Sequence, residues 1–207
     1  MAWDQLRTSY DTVAGAYDER FDDELDGKPR DRELLDAFAA AVADPVLDLG
    51  CGPGQIGRRV HDAGRHVVGL DLSAAMAQRA DARLTAAGVA DMRALPVAPA
   101  SLGGIVAFYA LIHLQRHEVV AVLRDLRVAL HPGGRLLVAV HEGEGVLHVD
   151  ELLGAPVPFI ATLFALDELV AMMTAAGFEI TLAERRAPYE TEHATHRLYV
   201  EARRPDR

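Results

Sequence analysis

The chain predicts an α/β fold: a doubly wound, mainly parallel sheet of seven strands with helices on both faces. Three observations carry that expectation. Amphipathic stretches of helical spacing alternate with short, nearly unbroken apolar runs, the pattern of strands covered on both sides. The first such run, Val46-Leu47-Asp48-Leu49, passes directly into Gly50-Cys51-Gly52-Pro53-Gly54-Gln55-Ile56-Gly57, a glycine-rich turn that opens a helix. The length of 207 residues, half of them hydrophobic, suits a single domain, 1–207, with a substantial core.

The elements follow in order. Residues 30–43 read as an amphipathic helix leading into strand one at 46–49. A helix follows the glycine turn, then strand two at 66–70, then a helix from Ser73 to Ala87 with Ser73 as its N-cap. A short strand is expected at 89–92 and a buried one at 104–109. The next helix, 116–130, stops at His131-Pro132-Gly133-Gly134, and strand five spans 135–140. Asp167 to Gly177 is an alanine-rich helix, and 178–184 and 197–202 are the last two strands. The alternation breaks once, over 141–165, a long and partly apolar insertion after strand five that makes a candidate lid.

Composition excludes several classes of function. A formal net charge of −10 argues against a nucleic acid partner, which needs clustered Lys and Arg; the Arg58-Arg59, Arg185-Arg186 and Arg203-Arg204 pairs read as solvated surface. No segment approaches the roughly 18 apolar residues of a membrane span, and no leader pattern opens the chain. The single cysteine, Cys51, allows no internal disulfide and reads as a space-filler in the glycine turn; a cytoplasmic protein, monomer or homodimer, is expected.

The glycine turn marks a nucleotide-type site. Gly52 to Gly57 fits the dinucleotide pattern G-x-G-x-x-G, and Asp71 lies about where that motif places its ribose-binding acid. Charge separates the candidates. A pyrophosphate at the helix start would be repelled by a neighbouring carboxylate, whereas a sulfonium and an ammonium welcome acids. Asp48 ends strand one, Asp71 ends strand two and Asp91 follows the next helical segment, so three acids at successive connections favour the sulfonium cofactor S-adenosyl-L-methionine over NAD(P).

Together these segments resemble the class I S-adenosylmethionine-dependent methyltransferases of the small-molecule type, a Rossmann-like fold whose sheet ends in an antiparallel hairpin strand. Asp48 to Gly54 is similar to the family's first motif, and Asp71 to the acid that takes both ribose hydroxyls. Asp91-Met92 resembles the segment that holds the adenine, and His131 to Val138 the turn and fifth strand that follow. Ser9-Tyr10-Asp11-Thr12-Val13-Ala14-Gly15-Ala16-Tyr17-Asp18 resembles the N-terminal signature whose aromatics close over the cofactor. The resemblance implies cofactor contacts at Tyr10, Tyr17, Asp48, Gly50, Cys51, Gly52, Gly54, Asp71, Leu72, Met76, Asp91, Met92 and Phe108, with the N-terminal helices of 1–44 closing the site and S-adenosyl-L-homocysteine as product.

Methyl transfer from a sulfonium needs donor and acceptor held in line and water excluded; a base is needed only when the acceptor must lose a proton. Tyr109 and His113 follow strand four, where family members line the space beside the methyl group. His113 is therefore the first candidate for a general base or acceptor-orienting group, with a helix-capping role as the plain alternative. His141 and Glu142 leave strand five towards the same cleft, while His148 reads as exposed. Tyr189 to His196 carries metal-capable side chains without the spacing of a metal helix; it reads as an exposed loop or as an acidic, histidine-bearing wall for a polar or cationic acceptor, with Phe159, Phe164 and Tyr189 as its apolar side. The expected activity is methylation of oxygen or nitrogen on a small molecule. A binding module that keeps the pocket without the reaction stays open. A nicotinamide-dependent oxidoreductase is disfavoured by Asp48 and by the lack of a Tyr-x-x-x-Lys, Lys28 being the single lysine.

Overall fold

The computed structural model describes residues 3–206, so Met1, Ala2 and Arg207 of the expected 1–207 domain lie outside the described residues. Two helices come first, α1 (Trp3–Phe21) and α2 (Pro29–Ala41). They are followed by β1 (Val46–Leu49), α3 (Gln55–Asp62), β2 (Val67–Asp71), α4 (Ala74–Asp81) and β3 (Ala86–Val89). Next come β4 (Leu102–Phe108), α5 (Arg116–Ala129) and β5 (Leu130–His141). The chain then runs through β6 (Val146–Val149), β7 (Phe159–Thr162), α6 (Leu166–Ala175), β8 (Glu179–Arg186) and β9 (Arg197–Arg203). The main sheet has seven strands in the order β3-β2-β1-β4-β5-β9-β8. The first five are parallel, and β9 pairs antiparallel with both β5 and β8. This is the doubly wound, mainly parallel sheet that the alternation predicts, with the antiparallel C-terminal hairpin that the resemblance implies. Among the described residues no helix is long and apolar enough to cross a membrane.

Strand alternation divides the interior into two cores. Leu47 and Leu49 of β1, Ile105 and Ala107 of β4, and Leu136, Val138 and Val140 of β5 face α5 and α6, where Val119, Leu123, Leu126, Leu169 and Met173 close the layer. Val46, Val106, Phe108, Leu137 and Ala139 face the other way, towards Leu34, Leu35 and Phe38 of α2 and Ile56 and Val60 of α3. Period-two apolar residues on both faces give the unbroken apolar runs seen in the sequence.

Element bounds shift by one or two residues in several places, and the following differences bear on the site. The helix after Ser73 ends at Asp81 instead of Ala87, because Leu84 turns inward against Gly57 and Gly69 and the Thr85 hydroxyl accepts the Val67 N–H at 3.0 Å. Strand three therefore pairs with β2 at 86–89, not 89–92, and Met92 begins a short 3-10 turn capped by Asp91. β4 starts two residues early at Leu102, and β5 reaches back to Leu130 across an irregular register at Leu102/Gly104. The segment 141–165 is not irregular throughout: β6 and β7 form a separate two-stranded antiparallel sheet with register from Val146↔Thr162 to Val149↔Phe159.

Candidate active site

The carboxyl ends of β1, β2, β4 and β5 open onto one cavity of about 780 Å³. Its floor is the glycine turn. Gly50 has φ +66° and donates its N–H to the Leu70 carbonyl at 2.7 Å; a Cβ there would lie 2.6 Å from that of Ala110, so only glycine lets the turn approach β4 so closely. Asp48, buried under the turn, accepts the Gly57 N–H at 2.9 Å and so ties β1 to the start of α3. Burial raises its carboxyl to about 7 against the pull of that N–H, and Asp71 adds to the rise.

Asp71 ends β2 with both oxygens engaged by backbone: Oδ2 accepts the Gly52 N–H at 2.9 Å and Oδ1 the Ser73 N–H at 2.8 Å. These bonds fix its orientation at the cavity wall beside Leu72, Met76, Met92 and Phe108. Burial raises its carboxyl despite them. Cys51 also touches the wall, but its thiol is buried and pushed up by that burial, as a space-filler's would be. Gly54 packs against Ala80 instead of lining the cavity. Asp91 also lies off the wall: its carboxylate caps the 3-10 turn and pairs with the Arg93 guanidinium, which lowers its pKa. Its neighbour Met92 lines the cavity in its place.

α1 closes one side. Asp11 accepts the Ser73 hydroxyl at 2.5 Å and the Ala75 N–H at 3.1 Å, which docks α1 on the start of α4. Tyr10 and Tyr17 reach the cavity two helical turns apart, their rings edge to face at 6.2 Å. The Tyr10 hydroxyl lies 2.9 Å from His113 Nε2, a bond that spans the cavity from α1 to the turn after β4. Burial raises both tyrosine hydroxyls, so Tyr10 is the donor. Burial also pushes His113 down to about 4, which makes it a neutral acceptor. Phe159 of β7 packs against the pair, with its ring 6.4 Å from Tyr10 and 6.2 Å from His113. Ser9 donates to the Pro158 carbonyl at 3.0 Å, a second tie between α1 and the 141–165 segment.

The far end of the cavity is polar. Tyr109 follows β4 at φ +57°, a left-handed conformation that costs a bulky residue about 1–3 kcal/mol and turns it away from the strand direction. Its ring stacks on His141 at 4.9 Å, and its hydroxyl is buried with no hydrogen-bond partner among the described residues. Burial raises that hydroxyl and lowers His141 to about 3, with Arg197 contributing to the latter. Of the other expected residues, Phe159, His148 and His193 lie on the wall, while Glu142, Phe164, Tyr189 and His196 do not. Glu142 pairs with Arg185 and His196 on the surface side, and Phe164 is fully buried in the core.

Among the wall residues that the sequence reading does not reach are Glu24, Lys28, Gln55 and Arg197. Lys28 pairs with Glu24 and, at 3.6 Å, with Glu192. Gln55 donates to Glu24 at 2.9 Å and leaves its buried Oε1 unpartnered beside Gly52 and Tyr17. Glu192 is held by both Arg186 nitrogens and the Tyr189 N–H. Burial opposes its ionisation, but those donors prevail and bring it down to about 2. Only Gln55 was within reach of a local signal, as the first residue of the helix after the glycine turn; the others meet through tertiary structure. Among the described residues no group of three or more His, Cys, Asp or Glu side chains is gathered as metal ligands would be.

Residues 46–134 match the family model of the methyltransferase domain. The chain is similar to an uncharacterized methyltransferase of Geobacillus kaustophilus, with 30% identity over 140 residues that cover 66% of this chain and 64% of the relative. It thus spans just under two thirds of that relative's length. Its fold is shared with a solved DhpI–S-adenosylhomocysteine complex, with TM-score 0.77, 20% identity and coverage of 99% of this chain and 98% of that one. It is also shared with the Burkholderia thailandensis 1,6-didemethyltoxoflavin-N1-methyltransferase bound to 1,6-didemethyltoxoflavin and S-adenosylhomocysteine, with TM-score 0.71, 23% identity and coverage of 98% and 88%. With its glycine turn, its acid at the end of β2 and its antiparallel last strand, the chain carries over residues 46–134 a match to the methyltransferase domain and shares the fold of S-adenosylmethionine-dependent methyltransferases.

Proposed function

We propose that the protein binds S-adenosyl-L-methionine and transfers its methyl group to an oxygen or nitrogen of a small-molecule acceptor. The observation that carries this reading is the single cavity, about 780 Å³, that joins the glycine turn and Asp71 to the Tyr10–His113 pair. Its size suits a nucleoside-sized cofactor and a small second reactant together.

The residues present fit the cofactor. Asp71 offers carboxylate oxygens for the ribose hydroxyls, with Leu72, Met76, Met92 and Phe108 as an apolar surround for the base. The orphaned Gln55 Oε1, beside Gly52 and Tyr17, is a ready acceptor for an ammonium group. The cofactor, when bound, supplies a methyl group already activated on a sulfonium. A dinucleotide fits less well: the Gly52 N–H that a pyrophosphate would need is already given to Asp71, and Asp48 lies below.

The chain's own task is to orient the acceptor and exclude water. α1 and the β6–β7 sheet cover the cavity from two sides, and the Tyr10–His113 bond joins α1 to the turn after β4. His113 suits orientation better than proton removal, because Tyr10 occupies its Nε2 and its low pKa holds a proton poorly. The 1,6-didemethyltoxoflavin of the Burkholderia thailandensis neighbour is an acceptor of the size proposed. The same pocket would serve a binding module without turnover. Incubation with labelled S-adenosyl-L-methionine and an acceptor library separates the two: labelled product supports the enzyme, and tight binding with no product from any acceptor favours the module.

A further inference from the structure

The loop between β8 and β9 reads in sequence as an exposed loop or as an acidic, histidine-bearing wall for a polar or cationic acceptor. Its charges are arranged otherwise. Glu192, the only one of its two glutamates on the cavity wall, has both oxygens taken by Arg186 and the Tyr189 N–H. Glu24 is taken by Lys28 and Gln55. Both carboxylates at this end of the cavity are therefore committed, while donors remain. The Tyr109 hydroxyl and Arg197 Nε are buried without a hydrogen-bond partner among the described residues, and Arg197 is only 3% exposed. Its Nε lies 3.6 Å from Glu192, close enough for charge attraction and too far for a hydrogen bond.

His141 adds a third donor through its tautomer. Arg197 Nη1 donates to the Thr195 hydroxyl oxygen at 2.9 Å, and we assign that hydroxyl's own proton to its 2.9 Å bond with His141 Nδ1. An imidazole that accepts at Nδ1 and is neutral at physiological pH carries its proton on Nε2. The same relay lets Arg197 position a residue it does not touch. Tyr109 and His141 stack at 4.9 Å and both line the cavity, with Arg197 over the Tyr109 ring at 5.9 Å. Buried donors without acceptors are what a site for an oxyanion looks like before its ligand arrives.

We propose that Tyr109 and His141, with Arg197 behind them and Thr195 holding the imidazole, form a subsite for the carboxylate of an anionic small-molecule acceptor. This rests on the methyltransferase reading and narrows its substrate class. The aromatic wall of Tyr10 and Phe159 suits a carboxylate attached to a flat or apolar body.

The test uses matched probes on the full chain saturated with S-adenosylhomocysteine: benzoate, phenylacetate and cinnamate, each against its primary amide, titrated by ligand-observed NMR. The acids are expected to bind at least ~10-fold tighter than their amides, a factor worth about 1.4 kcal/mol. Tyr109→Phe should cut that preference about 5-fold or more. Thr195→Val, a partly exposed position that breaks only the relay, should cut it about 2- to 5-fold while leaving affinity for S-adenosylhomocysteine unchanged. Equal binding of acids and amides, no binding of either, or a preference untouched by both variants overturns the proposal. Loss of S-adenosylhomocysteine binding by the wild type would instead overturn the cofactor reading beneath it.

Discussion

Gly57→Ala sets helix propensity against tertiary contact, and the structure says which wins. Gly57 is the third residue of α3, where alanine would ordinarily stabilise by up to ~1 kcal/mol. A Cβ at this position would lie 2.5 Å from Asp48 Oδ2 and 3.0 Å from Leu84 Cδ2. Asp48 cannot retreat without giving up the 2.9 Å bond from the Gly57 N–H, and it is buried, so no water replaces the donor. Overpacking costs about 1–3 kcal/mol and a buried acceptor left short of its donor another 1–3 kcal/mol. After the propensity gain is subtracted, a net destabilisation of about 3 kcal/mol is expected. In a chain of this length that lowers Tm by roughly 6–12 °C and the urea midpoint at constant m. Gly27→Ala is the control, since its added Cβ meets nothing within 4 Å and should be close to neutral. A Gly57→Ala protein as stable as wild type would refute the claim that the glycine is there to admit the Asp48 carboxylate.

Other outcomes follow from the same geometry. Tyr10→Phe removes the bond to His113 and should loosen α1, seen as faster amide exchange across Trp3–Phe21 with about 1 kcal/mol less stability; unchanged exchange would separate Tyr10 from closure. Arg186→Ala strips the donors from buried Glu192 and from Tyr199 and should cost about 3 kcal/mol or more by urea denaturation, against less than 1 kcal/mol if the network is incidental. His113 ordinarily titrates near 6.5 and is held at about 4 in the fold, so the unfolded chain binds the proton first as pH falls. Its contribution is intact above pH 6.5 and is lost progressively between pH 6.5 and 4. His113→Gln should therefore lose on the order of 1–2 kcal/mol less stability than wild type between pH 7 and 5; parallel pH profiles would contradict the buried neutral imidazole.

Local pattern reached the sheet and the glycine turn because both are written in consecutive residues. Val46 to Gly57 carries its strand, its turn and its helix start within a dozen positions. The end of α4 was misjudged because Arg83, Leu84 and Thr85 do not break a helix by composition; Leu84 is drawn inward by the space over Gly57 and Gly69, a tertiary cause. β6 and β7 are short and pair only with each other over the cavity, so their register has no core alternation to announce it. Asp91 followed the motif's position, but Arg93 two residues on claims its carboxylate. The polar end of the site was the least legible, since Glu24, Lys28, Tyr109, His141, Glu192 and Arg197 come from four separate stretches and their charges can be balanced only once they are together.

The central claim is that Asp71, pinned by Gly52 and Ser73, receives the ribose of an S-adenosyl cofactor. Calorimetric titration with S-adenosylhomocysteine tests it most directly, on wild type, Asp71→Ala and the shape-preserving Asp71→Asn, with urea midpoints showing that each is folded. The account predicts micromolar binding by the wild type, weakened about tenfold or more in Asp71→Ala, the scale of losing a charged acceptor of two hydroxyls. No binding by the wild type, or equal binding by the folded Asp71→Ala, would contradict it.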